Sequence, residues 1–456
     1  MFRPKFWLVA HAIAVGLFCQ GFPFFWDTVQ LSAKQAYWFY ENGFGDLLLP
    51  NELDSGHPPL MGLYLAAVWM VFGKSLVVSH WAMFPFVLLI NFSLFALIRQ
   101  WVASPRDSLF LMLLFWLDPV LAGQLVLVSP DIILAGFFLL ALRGIQTGDR
   151  KMVTLGVTVL ALISMRGMMT AAALALYEWW RGAKPKQGLA YLPGWGLAFA
   201  FLGYHYWQKG WIGYHAGSPW APSFSGVTDP MLLLRNGAIL LWRLLDFGRI
   251  FVWLGLFLLL RSTNSFKGLQ LKTFALPLTL ALVFFPVVLA YAHLSAHRYL
   301  LPLFLALHLV LVQVLAASRD VAVAKKIYWG VLVGLALGNA WVYPRTIAQG
   351  WDSTLAHVPY YRLRREALGF LENQGIPIDS VGTAFPEIGP LKYRDLSDSQ
   401  AGMQEKNLST QRYVYDASVM NDFSEEELAA LKKDWLPLKT FGRYPVRIVL
   451  YQKMDK

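Results

Sequence analysis

An acid-rich segment follows directly on the first long apolar run of the chain. Residues 26–59 end in a His-Pro-Pro turn and carry five acidic side chains: Asp27, Glu41, Asp46, Glu52 and Asp54. A carboxylate placed directly after an apolar span is costly there, so it is a candidate for function by default. The alternative is an ordinary solvated loop, in which acids are structural rather than functional.

Charged residues also interrupt or precede three later apolar runs. They are Asp131 in SPDIILAG, Arg166 in ISMRGMM, and the triplet His297, Arg298 and Tyr299. Each has a structural explanation, because a helix dipole stabilises an N-terminal acid and an arginine can extend to lipid headgroups. Two carboxylates and two guanidiniums that converge on one side of a membrane nevertheless favour a common site.

These groups together suit group transfer from a lipid-linked phosphate. A carboxylate can take the proton from an incoming hydroxyl group as that group attacks. Arginines can hold a leaving phosphate in bidentate geometry and stabilise the charge that develops on it. A donor anchored by a polyprenyl tail would present its phosphate at this depth.

The composition is that of a membrane protein. The chain has 456 residues, of which 57% are hydrophobic and 15% are charged, whereas soluble domains carry about 25% charged residues. The net charge of +11 does not indicate a nucleic-acid partner, because the basic residues fall in short clusters between apolar runs. The single cysteine, Cys19, excludes an internal disulfide and a CxxC metal site.

Apolar runs near spanning length predict a polytopic α-helical membrane protein of about eleven transmembrane helices. The runs are 6–25, 79–98, 108–128, 132–146, 152–165, 168–180, 188–207, 246–260, 273–292, 299–317 and 326–343. The Lys and Arg clusters all become cytoplasmic if every second loop is cytoplasmic. The N-terminus is then inside, and the loops 26–78 and 208–245 and everything after Trp341 are outside.

Two apolar segments in the predicted outer loops are not counted as spans. Segment 59–73 is short and starts at Pro59, so we interpret it as a helix in or against the outer leaflet. The alternative, a true span, moves the basic clusters to the wrong side. The stretch RNGAILLWRLLDFGR predicts a second helix along the membrane surface, and its Arg235 and Arg243 are candidate substrate-binding residues.

The composition changes after the last apolar run, which predicts a membrane domain at 1–343 and an extracytoplasmic α/β domain at 344–456. Strand-type runs (DSVGTAF, VRIVLYQK) alternate there with helical runs (YYRLRREALGFLENQ, SEEELAALKKDW). Ser424, followed by three glutamates, fits a helix N-cap with its Glu at the third position.

The order of these motifs over roughly residues 1–340 resembles the GT-C superfamily of polyprenyl-phosphate-sugar-dependent glycosyltransferases. The nearest branch is the group of protein mannosyltransferases and aminoarabinose transferases. The motifs are Trp26-Asp27, the Gly56-His57-Pro58-Pro59-Leu60 turn with Phe72-Gly73, Pro130-Asp131, Arg166-Gly167 and Arg298-Tyr299-Leu300-Leu301-Pro302.

This resemblance implies a role for each motif residue. Asp27 would be the catalytic base or would position the acceptor, and Asp131 would help to shape the catalytic site. Arg166, Arg298 and Tyr299 would hold the donor phosphate. His57, a further substrate-binding candidate, stands where the aminoarabinose branch has a lysine preceded by a glutamate, which argues against the same acceptor.

The sequence thus predicts an inverting integral-membrane glycosyltransferase, placed in the bacterial cytoplasmic membrane. It would move a sugar from a polyprenyl-phosphate donor to a glycan, lipid or protein acceptor on the extracytoplasmic face. A divalent metal is left open as a cofactor, and no residues are assigned to it. The alternative is a transporter or flippase of lipid-linked sugars, which would have polar residues through the midplane and two related halves.

Overall fold

The chain first forms a helical bundle and then a small sheet domain. The structure is a computed structural model that describes residues 3–213, 215, 217, 221, 226–262, 271–291, 295–345 and 347–454. The α-helices of the bundle are Pro4–Cys19, Gln35–Asn42, Leu60–Phe72, Leu76–Ala82, Phe84–Ile98, Pro105–Trp116, Pro119–Leu125, Pro130–Thr147, Arg150–Ile163, Met165–Trp180, Leu192–Lys209, Pro230–Leu245, Ile250–Ser262, Ala275–Ala290, Leu301–Ala317 and Val321–Gly338.

Short helices of other types connect these elements. One π-helix, Val29–Lys34, continues directly into Gln35–Asn42. The 3₁₀ helices are Pro185–Tyr191, Leu271–Phe274, His297–Leu300, Trp351–Ser353, Leu355–His357 and Ile378–Ser380. Several of them stand directly before a longer helix, where they set the direction in which that helix starts.

Four helical segments of the described chain are long and apolar enough to cross a membrane: Leu76–Ile98, Pro130–Thr147, His297–Ala317 and Val321–Gly338. The predicted number of about eleven spans is not confirmed. Other apolar helices are shorter, such as Pro4–Cys19 with 16 residues. At 1.5 Å per residue such a helix is about 24 Å long, less than the ~30 Å hydrocarbon core.

One helix pair of the described chain passes the same test only when its two helices are counted as one span. The helices Pro105–Trp116 and Pro119–Leu125 meet at 82°. Asp118 lies at the break, where its Oδ1 accepts hydrogen bonds from the backbone N–H of Val120 at 2.9 Å and of Leu121 at 3.1 Å. The bend follows from this side-chain cap and from the proline at the first helical position, because both start a new helix rather than continue the old one.

The apolar segment 59–73 forms the helix Leu60–Phe72. It packs closely on Gln35–Asn42, since a Cβ at Gly62 would lie only 2.7 Å from the Cβ of Gln35. The Trp69 indole N–H donates to Ser79 Oγ at 2.8 Å, which joins the helix to the next one. Its position relative to the membrane stays a prediction.

The predicted helix in the second outer loop is Pro230–Leu245. The Asn236 side chain donates to the carbonyls of Leu289 at 2.9 Å and Tyr291 at 3.1 Å, which fixes the helix to the end of Ala275–Ala290. Residues 214, 216, 218–220 and 222–225 of that loop lie outside the described part of the chain.

The C-terminal residues form a six-stranded sheet, as their alternating pattern predicts. The strands are β1 (Val381–Thr383), β2 (Gly389–Pro390), β3 (Gly402–Glu405), β4 (Tyr413–Ala417), β5 (Trp435–Arg443) and β6 (Val446–Lys453). Their order is β2-β3-β1-β4-β6-β5, with β1 parallel to both neighbours and the other pairs antiparallel. The α-helices of this part are Val358–Asn373, Lys392–Asp395 and Glu425–Asp434.

The predicted cap of the last helix is present. Ser424 Oγ accepts from the Glu427 N–H at 3.1 Å, and a Glu427 carboxylate oxygen accepts from the Ser424 N–H at 2.8 Å. Two helix N–H groups that would otherwise be unpaired are satisfied by this reciprocal pair.

The sheet domain packs on the bundle next to the end of the first helix. The Phe25 ring stacks on His357 with 5.0 Å between the ring centroids and also contacts Tyr360 and Tyr361. The backbone around Thr354 approaches so closely that a Cβ at Gly123 would lie 2.7 Å from the Thr354 nitrogen. This packing brings residues after 350 next to the segment that carries Asp27.

Close backbone packing in the bundle can be tested at a glycine. The helices Pro130–Thr147 and Arg150–Ile163 form a hairpin, and a Cβ at Gly156 would lie 2.7 Å from the Ala141 Cβ and 2.8 Å from the Phe137 carbonyl oxygen. Gly156→Ala should therefore lower the free energy of unfolding by about 1–3 kcal/mol, measured as a drop in Tm in detergent. Gly196→Ala is the matched control, because a Cβ there meets no atom within 4 Å; equal Tm values for the two variants would contradict this packing.

Candidate active site

Asp27 is held by a tight turn directly after the first helix. Trp26 adopts a left-handed conformation with φ of +57°, which is uncommon for a large side chain and marks a constrained backbone. The Thr28 hydroxyl donates to the Phe25 carbonyl at 2.6 Å and accepts from the Phe25 N–H at 3.1 Å. The turn and the π-helix that follows fix where the Asp27 carboxylate points.

Asp131 and Arg166 lie at the N-terminal ends of two neighbouring helices. Ser129 caps the helix of Asp131, and Ser164 caps the helix of Arg166. The helix of Arg166 packs closely on the preceding helix Arg150–Ile163, since a Cβ at Gly167 would lie 2.0 Å from the Leu160 carbonyl oxygen. The Arg166 guanidinium donates a hydrogen bond to the Asp131 carboxylate.

Arg298 and Tyr299 lie on the 3₁₀ turn before the helix Leu301–Ala317. This turn is anchored by His297, whose Nε2 lies 2.7 Å from an Asp246 carboxylate oxygen. The Arg298 guanidinium donates to Asp27. The Tyr299 ring lies under both cations, with its centroid 4.5 Å from the Arg166 guanidinium and 5.2 Å from that of Arg298.

A third carboxylate, Asp352, completes the cluster. Its Oδ2 lies 3.3 Å from Arg298 Nε, while an Asp131 oxygen lies 3.9 Å from Arg298 Nη1. The loop of Asp352 is held by Gln124, whose side chain donates to the Asp352 carbonyl at 2.8 Å. Sequence reasoning missed this residue, because an acid in a polar C-terminal segment is indistinguishable from an ordinary surface acid.

The cluster is nearly closed to solvent. The side chains of Asp131, Asp352 and Arg298 are at most 3% exposed, whereas Asp27 is 22% exposed and Arg166 is 18% exposed. Three carboxylates and two guanidiniums leave a formal charge of −1 when all are ionised. Burial raises the pKa of Asp352 to about 6, against the opposing effect of the Arg298 guanidinium and with the help of Asp27 and Asp131.

Asp27 and Arg166 open into a cavity of about 180 Å³. Arg298, Tyr299 and His57 line the cavity with them. Apolar side chains of the helices Met165–Trp180 and Ala275–Ala290 also line it: Met165, Met169, Phe284, Val287 and Val288. One cavity therefore offers cationic and acidic groups beside an apolar wall.

His57 reaches the cavity from the loop before Leu60–Phe72. The preceding residue, Gly56, has φ of +69° and lies so close to Gly213 that a Cβ would be 2.6 Å from the Gly213 nitrogen. His57 Nδ1 lies 3.2 Å from the Pro58 carbonyl oxygen. Burial lowers the pKa of His57 to about 4, with a further contribution from Arg166, so the ring is neutral at pH 7.

Polar contacts of Asp54 join the loop of His57 to the helix Leu192–Lys209, and sequence reasoning did not predict them. The Asp54 carboxylate lies 3.0 Å from His205 Nε2 and 2.6 Å from Lys209 Nζ, and accepts from the Gly56 N–H at 2.8 Å. Within the described residues, no group of three or more His, Cys, Asp or Glu side chains could hold a metal ion.

Arg235 and Arg243 lie away from the lining of this cavity. Arg243 contacts Asp246 at 3.5 Å and donates to the carbonyls of Ser295 at 3.2 Å and Ala348 at 3.3 Å. Arg235 lies on the same helix, with its guanidinium 3.5 Å from the Asn236 side-chain oxygen. The structure thus brings Asp27, His57, Asp131, Arg166, Arg298 and Tyr299 together and leaves these two arginines apart.

The raised pKa of Asp352 predicts a pH-dependent stability. The folded protein keeps the Asp352 proton to about pH 6, whereas an unfolded aspartate loses its proton near pH 4. The raised pKa therefore stabilises the folded protein at low pH, and this stabilisation is lost as the pH rises to 6. Asp352→Asn stays neutral throughout. From pH 4 to pH 7 its free energy of unfolding should therefore rise relative to wild type by up to about 3 kcal/mol.

Thermal unfolding in detergent across this pH range measures the effect. Asp46→Asn is the control, because Asp46 is exposed and its carboxylate only accepts from the Leu48 N–H. If the stability of Asp352→Asn ran parallel to that of wild type between pH 4 and pH 7, the buried neutral carboxyl group would be excluded.

Two solved structures share this fold over nearly the whole chain. The crystal structure of ArnT from Cupriavidus metallidurans bound to undecaprenyl phosphate aligns with a TM-score of 0.55 and 12% identity over 97% of both chains. The structure of the same protein in the apo state gives 0.53 and 12% over 97% of this chain and 96% of the other. No family model and no curated protein matches the sequence. These neighbours confirm the predicted resemblance at the level of the fold: the chain shares the fold of ArnT over nearly its whole length and ends in a small sheet domain.

Proposed function

We propose that this protein is an integral-membrane glycosyltransferase that takes a sugar from a polyprenyl-phosphate donor. The observation that carries the proposal is the cavity lined by Asp27, Arg166 and Arg298 together with apolar side chains, in which Asp27 and Arg166 are the partly exposed charges. A lipid phosphate needs both parts, cations for the phosphate and an apolar surface for the chain.

Arg166, Arg298 and Tyr299 hold the donor phosphate. Arg166 pairs with a single carboxylate in the described structure and is partly exposed, so its remaining N–H groups can face a ligand. Guanidinium groups bind phosphate through paired hydrogen bonds and stabilise the charge that grows as the sugar leaves. The neighbour whose fold matches was crystallised with undecaprenyl phosphate, which supports a donor of this class.

Asp27 acts as the base. The acceptor oxygen forms a bond to the anomeric carbon of the sugar while the bond from that carbon to the phosphate oxygen breaks. The hydroxyl proton passes to the Asp27 carboxylate, and polyprenyl phosphate leaves with the bonding electron pair. Attack opposite to the leaving phosphate inverts the configuration at the sugar carbon.

The reaction is placed on the extracytoplasmic face. The distribution of Lys and Arg puts the loop of Asp27 on that side, and the sheet domain packs against the same segment. Since the Gly56-His57 pair replaces the acidic and basic pair of the aminoarabinose branch, the acceptor is a cell-envelope glycan, lipid or protein of another kind.

Asp27→Asn tests the base. The variant keeps the shape of the side chain and removes its charge, so the rate of sugar transfer should fall by about 10²–10⁴-fold with donor binding retained. The assay uses the protein in nanodiscs with labelled polyprenyl-phosphate sugars and envelope extracts as acceptors. Glu41→Gln, an exposed acid of the same loop, should transfer at the wild-type rate.

Full activity of Asp27→Asn would remove Asp27 from the chemistry and direct attention to Asp131. Absence of transfer with every donor, together with movement of lipid-linked sugar across the bilayer, would establish the transporter instead of the enzyme.

Arg166→Gln tests the phosphate contact. Loss of the accessible guanidinium should weaken donor binding at least about tenfold, since a charged hydrogen bond contributes about 1.5–3 kcal/mol, and Arg166→Lys should restore part of it. Competition by undecaprenyl phosphate measures the affinity. Arg362→Gln removes an exposed arginine of the sheet domain and should bind as wild type; an unchanged affinity of Arg166→Gln would contradict the assignment.

A further inference from the structure

Three lysines converge on two tyrosine rings outside the active-site cavity. Lys392 Nζ lies 5.1 Å from the Tyr37 ring centroid and 5.0 Å from that of Tyr393. Lys74 Nζ lies 4.1 Å from the Tyr37 centroid, and Lys34 Nζ lies 5.6 Å from the Tyr393 centroid. The two rings touch edge to face with centroids 5.4 Å apart, so they form a platform shared by all three cations.

Two of these three positive charges have no carboxylate beside them in the described structure. The third, Lys74, donates a hydrogen bond to the Tyr37 hydroxyl and lies 3.4 Å from the Asp398 carboxylate, whose side chain is fully exposed to solvent. Among the described residues, Lys34 and Lys392 have no carboxylate within ion-pair distance. Both are half-buried. Burial, with the nearby Arg394, lowers the pKa of Lys34, as expected for a cation that lacks an anion.

Arg394 lies near these lysines and is a buried cation with many acceptors around it. Arg394 lies 3.5 Å from Glu387 and donates to the backbone carbonyls of Pro386, Ile388, Gly389 and Pro390. Its guanidinium is therefore satisfied by an ion pair and hydrogen bonds within the protein. Among the described residues, Lys34 and Lys392 have no comparable set of acceptors, although half-buried charges are costly unless they are paired.

Apolar residues precede and follow Lys74 in the chain. The residues just before it are apolar and exposed, with Val71 at 73% and Phe72 at 72% exposure. The residues just after it begin the span Leu76–Ile98. A lysine between a lipid-facing helix end and the start of a span lies at the level of the lipid headgroups.

We propose that Lys34, Lys74 and Lys392, on the platform of Tyr37 and Tyr393, form a second anion site that binds the phosphate headgroup of a membrane lipid. The ammonium groups neutralise the phosphate, and Lys74 and Lys392, which both lie against the Tyr37 ring, bind its oxygens. The acyl chains lie along the exposed end of the helix Leu60–Phe72. None of these five residues lines the cavity of Asp27, so the site is separate from the catalytic one.

Calorimetric titration of the full-length protein in detergent tests the site. The probes are dihexanoyl phosphatidic acid, dihexanoyl phosphatidylcholine and inorganic phosphate. The double variant Lys34→Gln, Lys392→Gln should bind phosphatidic acid at least about tenfold more weakly than wild type, and added salt should weaken wild-type binding. The matched control is Lys432→Gln, Lys433→Gln, which removes the same charge from exposed positions of the helix Glu425–Asp434.

The probes also define which part of the lipid is recognised. Binding of inorganic phosphate through the same lysines supports a site for the phosphoryl group alone, and binding of phosphatidic acid only supports a site for headgroup and chain together. Equal affinity of the double variant and wild type for phosphatidic acid overturns the proposal. Equally tight binding of phosphatidylcholine overturns it as well, since that headgroup carries no net charge. Unchanged Tm and sugar transfer of the double variant show that the fold and the catalytic site are intact.

Discussion

The burial of the Arg298 guanidinium is the constraint on which this structure depends. A buried cation must be neutralised by nearby anions, because the loss of its hydration is not otherwise compensated. Arg298 meets Asp27, Asp131 and Asp352, which come from the first turn after helix one, from the start of a long span, and from the segment before the sheet domain. One charge thus fixes the relative positions of parts of the chain that are far apart in sequence.

The same constraint explains which site residues were visible in the sequence. Asp27, Asp131, Arg166 and Arg298 each interrupt or border an apolar run, where a charge is expensive and therefore conspicuous. Arg243 is also a charged residue within an apolar run, but it contacts Asp246 and two carbonyls outside the cluster. A charge within an apolar run therefore indicates a buried charged residue, but it does not indicate which of these residues share a site. Asp352 gave no signal, since only the folded chain shows that its polar segment is buried.

The kind of fold was predictable from the sequence, whereas the number of spans stays a prediction. The alternation of short runs after residue 350 indicates strands and helices, because the two elements have different hydrophobic periods. Apolar composition does not tell whether a helix crosses the membrane, and several apolar helices here are shorter than the hydrocarbon core is thick. The bend at Asp118 likewise divides one apolar run into two helices.

The place of Asp352 in the chain has a consequence for how the protein is made. The helices of the bundle leave the ribosome first, and residues after 350 follow last. Until the segment of Asp352 has been synthesised and the residues after it have packed against Phe25, the guanidinium of Arg298 lacks one of its three carboxylates. The charge cluster is therefore completed only after the helices of the bundle have been made, and a chain that stops before Asp352 does not carry all of it.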